Sequence, residues 1–277
     1  MMNKNICLNL CKVSGIHPDK NLGQNFLINQ QVIEDIVDSV EAGPEDTVVE
    51  IGCGIGALTY ELCHRAGQFI GIELDKRVLP ALESRLSEYN NYKILNQDVL
   101  ETDFSSFGAK IKVVGNLPYY ITTEIMKRLF TYHEYISDIT VMMQTEVANK
   151  VVAKPGQDGY GIMSIMAANY GEVEVVTNVD GSNFFPPAPV QSTVLHIRIL
   201  DKPRAVTSDE QHLFRFIKDA LLLRRKTLLN SLAAAGYFGG DKAQIQEAIV
   251  KAGVEPSARA EKLTLQQLAD LAEYFKK

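Results

Sequence analysis

A short apolar run, Thr47-Val48-Val49-Glu50-Ile51, leads directly into Gly52-Cys53-Gly54-Ile55-Gly56. The run is dominated by β-branched residues, which suit a buried strand. Glycines at alternate positions suit neither a continuing strand nor a helix, and they open backbone conformations closed to other residues. A helical pattern follows at once over residues 57–65. Strand, glycine turn and helix in immediate succession constrain the chain to an α/β architecture.

The alternation persists along the chain. Residues 28–40 carry Ile28, Val32, Ile33, Ile36, Val37 and Val40 as a helical stripe, with Asn29 as its cap and Gly43-Pro44 as its stop. Further strands are predicted at 68–73, 92–96, 111–115 and 136–143, and helices at 78–89, 122–130 and from 145 onward. Right-handed crossovers between such strands imply a mostly parallel sheet. Residues 173–179 and 193–200 also read as strands, but only a proline-rich loop at 184–189 separates them, so they should pair antiparallel. The expected fold is a Rossmann-like, seven-stranded, mostly parallel sheet whose last strand is antiparallel. Asp201-Lys202-Pro203 reads as a linker, and helical patterns follow at 209–223, 226–235, 244–252 and 264–274. The predicted organisation is an N-terminal arm over 1–25, an α/β domain over 26–200 and a smaller all-helical domain over 201–277.

Charge is unevenly distributed along this plan. The whole chain carries 28 basic and 34 acidic residues, net −6. Residues 201–277 hold 13 basic and 10 acidic residues, net +3, which leaves 15 and 24, net −9, for residues 1–200. The arm carries Lys4, Lys12 and Lys20 against Asp19. A uniformly basic nucleic-acid binder is excluded, whereas one with local basic patches is not. The densest patch is Arg224-Arg225-Lys226, whose guanidinium groups suit phosphate contacts, although a solvated helix end or an ion pair would explain it equally well. Cys7, Cys11, Cys53 and Cys63 form no CxxC pair and the five histidines are scattered, so no metal is expected. No apolar run approaches the length of a membrane span, and the N-terminus makes a poor signal peptide. The expectation is a cytoplasmic monomer with no membrane partner.

The glycine turn by itself fits several nucleotide-like ligands. Glu73 stands 21 residues after Gly52, at the end of the second strand, where a carboxylate can accept both hydroxyls of a ribose. Asp98 follows the third strand, within reach of an adenine amino group. The GxGxxG spacing of pyrophosphate binders is absent because position 57 is Ala. An adenosine ligand without a pyrophosphate is favoured, and S-adenosylmethionine (SAM), with S-adenosylhomocysteine (SAH) as its product, is the candidate.

Asn116-Leu117-Pro118-Tyr119 closes the fourth strand, at the sheet edge where open α/β folds bind ligands. Its chemistry suits an aromatic amine. The Asn116 side-chain oxygen and the Pro118 carbonyl are candidate acceptors for the two hydrogens of an adenine N6. Acceptors so placed favour a tetrahedral, nucleophilic nitrogen. Tyr119 would stack on the base.

With these residues in order, the chain resembles the ribosomal RNA adenine N6,N6-dimethyltransferases, and within them the bacterial 16S rRNA enzymes. The resemblance runs through Gly23-Gln24-Asn25-Phe26-Leu27, Glu50 to Gly56, Gly71-Ile72-Glu73-Leu74-Asp75, Asp98, Gly115 to Tyr119, Gln144-Thr145-Glu146-Val147-Ala148, residues 184–192 and Arg224-Arg225-Lys226-Thr227-Leu228. It implies SAM-dependent dimethylation of two adjacent adenosines in the 3′-terminal hairpin of 16S rRNA in the immature 30S subunit. It assigns SAM contacts to Asn25, Leu27, Gly52, Glu73, Asp98 and Asn116, and the target base to Asn116 through Tyr119 with Phe184 as a second stacking ring. It makes the helical domain, with Arg224, Arg225 and Lys226, an RNA-docking module. The arm would be an RNA-ordered lid hinged at Gly23. The loop departs from the family's Phe-x-Pro-x-Pro-x-Val-x-Ser pattern at Ala188, followed by Pro189, which leaves Phe184 and Phe185 as alternative stacking rings, with the ungapped register favouring Phe184. Rival readings are an Erm-type 23S rRNA adenine methyltransferase, a DNA adenine methyltransferase, a ribosome assembly checkpoint factor whose catalysis is secondary and, more distantly, a small-molecule methyltransferase.

Overall fold

The structure is a computed structural model that describes residues 2–19 and 23–276. Lys20 therefore lies outside the described residues. The chain divides into two compact units, Met1–Ala148 with Glu172–Asp201, and Asn149–Gly171 with Lys202–Lys277.

The first unit is built on a seven-stranded sheet. Its strands are β2 (Thr47–Ile51), β3 (Gln68–Ile72), β4 (Tyr92–Leu95), β5 (Ile111–Asn116), β6 (Ile136–Gln144), β7 (Gly171–Val179) and β9 (Ser192–Ile199), in the spatial order β4-β3-β2-β5-β6-β9-β7. Pairings of β2 with β3 and β5, β3 with β4, and β5 with β6 are parallel. The last strand, β9, runs antiparallel to β6, as the missing crossover helix requires, and inserts between β6 and β7. The strand order turns around at β2 and β5, so a crevice opens beyond their carboxyl ends. Helix α2 (Gln30–Ser39) matches the predicted stripe: Ile33, Ile36 and Val37 are buried, and the Asn29 side chain accepts from Gln31 N.

Two local features depart from the sequence reading. The N-terminal arm contains a helix, α1 (Lys4–Val13), whose Cys7 and Cys11, with Met2 and Ile16 outside it, are buried in the core of the first unit. Burial of these side chains makes residues 2–16 a packed element rather than a free basic lid. A two-stranded ribbon joins β1 (Phe26–Leu27) to β8 (Phe184–Phe185), with Phe26 opposite Phe185 and Leu27 opposite Phe184. Such a short, long-range pairing has no periodic signature.

The second unit is helical. Its helices include α7 (Ile162–Tyr170), α8 (Glu210–Ala220), α9 (Leu228–Ala234), α10 (Lys242–Lys251) and α11 (Leu265–Glu273). Asn149–Gly171 group with this unit, although sequence alone placed them in the α/β domain. The reason is packing: Tyr160 and Ile165 are buried among residues of α8, α9 and α11, and the Tyr160 hydroxyl donates to the Leu263 carbonyl (2.9 Å). Among the described residues no helix is long and apolar enough to cross a membrane.

Candidate active site

The crevice beyond β2 and β5 holds a cavity of about 120 Å³. Gly52, Gly54, Glu73, Asp98, Asn116 and Pro118 line it, together with residues 23–27. The glycine turn makes this possible. Gly52 and Gly54 adopt φ of +76° and +52°, which other residues rarely tolerate. A Cβ on Gly54 would also stand 3.2 Å from the Phe26 ring, so the turn and residue 26 can approach only without a side chain there.

Glu50, Glu73 and Asp98 line the cavity and Asp75 does not, and each differs in its degree of engagement. Glu73 Oε2 accepts from Gly54 N (2.7 Å) and Oε1 from Asp75 N (2.8 Å). Each oxygen keeps a further acceptor position, the acceptor set that a pair of ribose hydroxyls needs. Burial raises the Glu73 pKa. Asp98 Oδ1 caps a short helical turn at Leu100 N (2.8 Å), and among the described residues Oδ2 takes no donor. Asp75 differs: Oδ1 accepts from Arg77 N and Nε (3.0 and 2.8 Å), and Oδ2 from Arg77 Nη2 and Gln24 Nε2 (2.7 and 2.9 Å). The Arg77 side chain, chiefly, holds the Asp75 carboxyl down at about 2. Glu50 is buried beneath the glycine turn and accepts from Thr59 Oγ1 (2.6 Å); burial pushes it up to about 8. Sequence reasoning assigned no role to Glu50, Gln24 or Gln97, all of which line the cavity. An acidic residue two positions before a strand-ending glycine was the available signal for Glu50.

Of the tetrapeptide, Asn116 and Pro118 line the cavity, whereas Leu117 and Tyr119 do not. Asn116 ends β5, and its Nδ2 donates to the Asn25 carbonyl (3.2 Å), which leaves Oδ1 an acceptor without a donor among the described residues. The Pro118 carbonyl is already engaged, by Ile121 N (3.2 Å) and Thr122 Oγ1 (2.9 Å). Those two bonds fill its lone pairs and remove the second acceptor that sequence reasoning chose. Leu117 is buried and its N–H donates to the Met142 carbonyl (3.0 Å), whereas its own carbonyl accepts no bond among the described residues. Tyr119 is half-buried beside the cavity residues, and its hydroxyl shares a 2.7 Å hydrogen bond with Ser192 Oγ. Burial raises its pKa.

Phe184 does not line this cavity. Its ring is 1% exposed in the core, and with the half-buried Phe185 it borders a separate cavity. The ribbon register sets this, because the two residues face opposite ways along β8.

Arg224, Arg225 and Lys226 occupy the turn between α8 and α9, not a helix end, and all three are exposed. Arg224 Nη2 donates to the Tyr160 carbonyl (3.0 Å) and Nε lies 3.7 Å from Glu261. The side chains of Arg225 and Lys226 have no partner among the described residues.

Residues 17–277 match the family model described as ribosomal RNA adenine dimethylase. The chain belongs to that family. Among related dimethylases, a ribosomal RNA small subunit methyltransferase A from Moorella thermoacetica is 39% identical over 276 residues, covering 96% of this chain and 95% of its own. One of the same name from Clostridium botulinum is 38% identical over 258 residues, covering 92% and 93%. Among solved structures, a dimethyladenosine transferase from Plasmodium falciparum superposes with a TM-score of 0.78 over 89% of this chain and 95% of its own, at 22% identity. The 23S rRNA methyltransferase ErmE gives 0.68 at 26% identity, over 91% of this chain and 100% of its own. The dimethylase chain thus shares its fold with a dimethyladenosine transferase and with an enzyme named for 23S rRNA.

Proposed function

We propose that the chain uses SAM to dimethylate N6 of two adjacent adenosines in the 3′-terminal hairpin of 16S rRNA, acting as a cytoplasmic monomer on the immature 30S subunit. The observation that carries this reading is the free Oδ1 of Asn116 in the same cavity as Glu73 and Asp98. The names of the 38–39% identical relatives favour the small subunit over the 23S alternative.

Glu73 holds the cofactor ribose through its two half-engaged oxygens, and Asp98 Oδ2 receives the adenine amine. Gly52 and Gly54 keep the backbone close, and Asn25 and Leu27 cover the cavity from the other side. When bound, SAM supplies an electrophilic methyl on a sulfonium centre. Asn116 Oδ1 accepts one N6 hydrogen of the target adenine. The Leu117 carbonyl accepts the other, since the Pro118 carbonyl is occupied. Both acceptors hold the nitrogen lone pair out of the ring and stabilise the positive charge it gains. The nitrogen then sheds its proton without a strong base, and alignment supplies most of the acceleration. Tyr119 stacks on the flipped base, its ring held by Ser192. Phe184 becomes a second stacking ring only if the β1–β8 ribbon shifts, because its ring is enclosed. Arg225 and Lys226 meet RNA phosphates, while Arg224 mainly braces its own turn.

The test is methyl transfer from labelled SAM into 30S subunits that lack the hairpin methylation, beside 50S subunits and duplex DNA. Dimethyladenosine in the 16S hairpin alone is expected. Label in 23S rRNA would move the reading to the Erm-type activity. Binding to immature subunits without transfer would move it to an assembly factor.

A further inference from the structure

The second acid of the Gly71-Ile72-Glu73-Leu74-Asp75 motif, Asp75, is nearly enclosed, at 6% exposure, yet it offers nothing to a ligand. A carboxylate has about four acceptor positions. Arg77 takes three of those on Asp75, and Gln24 Nε2 takes the fourth. Gln24 is bound at its other end as well. Its Oε1 accepts from Asp19 N (2.8 Å), and its own N–H donates to the Asp19 carbonyl (3.1 Å). Arg77 Nη2 also approaches the Asp19 carboxylate, at 3.7 Å. Beyond Gln24, the next residue's carbonyl receives Asn116 Nδ2. The far end of the segment is pinned by the β1–β8 ribbon and by Ile28 N donating to the Asn183 carbonyl (2.9 Å).

We infer that Gln24 and Asp75 are positioning residues that clamp the 23–27 strap across the cofactor cavity and, through the Asn25 carbonyl, set the orientation of the Asn116 amide. The inference rests on the methyltransferase reading of that cavity. Two consequences distinguish it from a general stabilising role. Losing the clamp loosens the strap, so cofactor affinity falls. It also frees the Asn116 amide to rotate, so turnover falls even at saturating SAM. A contact that merely stabilised the fold would lower the thermal midpoint and leave these two quantities alone.

The experiment uses the full chain and three measurements on Gln24→Ala and Gln24→Glu: the Kd for SAH by calorimetry, kcat at saturating SAM, and amide deuterium uptake at residues 23–28. Removing the hydrogen bond to the Asp75 carboxylate, along with the one accepted from Asp19 N, should weaken SAH binding about tenfold in Gln24→Ala. Faster uptake at 23–28, a lower kcat and a thermal midpoint close to the parent should accompany it. Gln24→Glu sets a second carboxylate against Asp75 and should lose more than Gln24→Ala. Parental Kd, kcat and uptake in Gln24→Ala would overturn the inference, as would Gln24→Glu outperforming it. Should the parent itself fail to bind SAH, the functional reading falls, and the uptake difference alone still decides whether the clamp exists.

Discussion

The strand-end site of the first unit and the Arg224–Lys226 turn of the second present polar groups in opposite ways. At the strand ends nearly every functional atom is already tied to backbone: Glu73 to Gly54 and Asp75, Asp98 to Leu100, Asn116 to Asn25. At least one acceptor position is left over on each, aimed by those ties. In the turn, Arg225 and Lys226 are exposed and unpaired among the described residues, and only Arg224 is anchored. The first arrangement suits chemistry, because the cost of orienting dipoles is met on folding. The second suits contact with a backbone of repeating phosphates, where charge matters more than angle.

Four measurements would break or sharpen that contrast. Asn116→Ala should lower turnover by roughly 10²–10³-fold, the usual effect of removing one preorganised group, while SAH still binds. A near-parental rate would mean that the strand-end site is not preorganised as described. The next effect concerns Glu50, whose carboxyl is raised to about 8 by burial. Its neutral form is the one the fold favours, so its contribution to stability is complete below about pH 4.5 and is lost as pH rises through about 8. The parent's stability should fall over that window by the order of a few kcal/mol, and thermal melts of Glu50→Gln should be flatter across it. Equal slopes would show that the Glu50 pKa is the same in the folded and unfolded states.

Smaller changes are expected in the turn. Arg225→Ala with Lys226→Ala should weaken rRNA binding across sequences and reduce the salt slope by about 2, with the Kd for SAH unchanged. An effect confined to one sequence, or one on SAH, would erase the contrast between the two regions. The smallest effect belongs to Tyr119→Phe. Its hydroxyl bonds Ser192 rather than facing the cavity, so its loss should cost about 1 kcal/mol of positioning and several-fold in rate, with Ser192→Ala giving a similar loss. Abolished activity in Tyr119→Phe would instead assign the hydroxyl to the chemistry.

Much of the site was legible in the sequence because it lies where strands end. A β-branched run, a glycine turn and an acid after the next strand are local patterns, and parallel topology brings their ends together without further information. Thus Gly52, Glu73, Asp98 and Asn116 all reach one cavity, as their spacing implied. The exceptions are instructive. The occupied carbonyl of Pro118 follows from Thr122 and Ile121 folding back as α5 (Thr122–Thr131) begins, a matter of lone-pair accounting that no motif records. The break predicted between helices at 209–223 and 226–235 is present but wider, since α8 ends at Ala220 and α9 begins only at Leu228.

By itself, the sequence determined the α/β class, the antiparallel last strand, the glycine-and-acid wall and the Asn116 tetrapeptide, since each depends on propensity, periodicity or an unavoidable connection. Only the tertiary structure decided that Phe184 is enclosed, that residues 149–171 belong with the helical unit, and that Gln24 and Asp75 close on one another 51 residues apart. Those outcomes rest on pairings between segments remote in sequence. Burial and the filling of lone pairs select such partners, and neither quantity exists until the chain has folded.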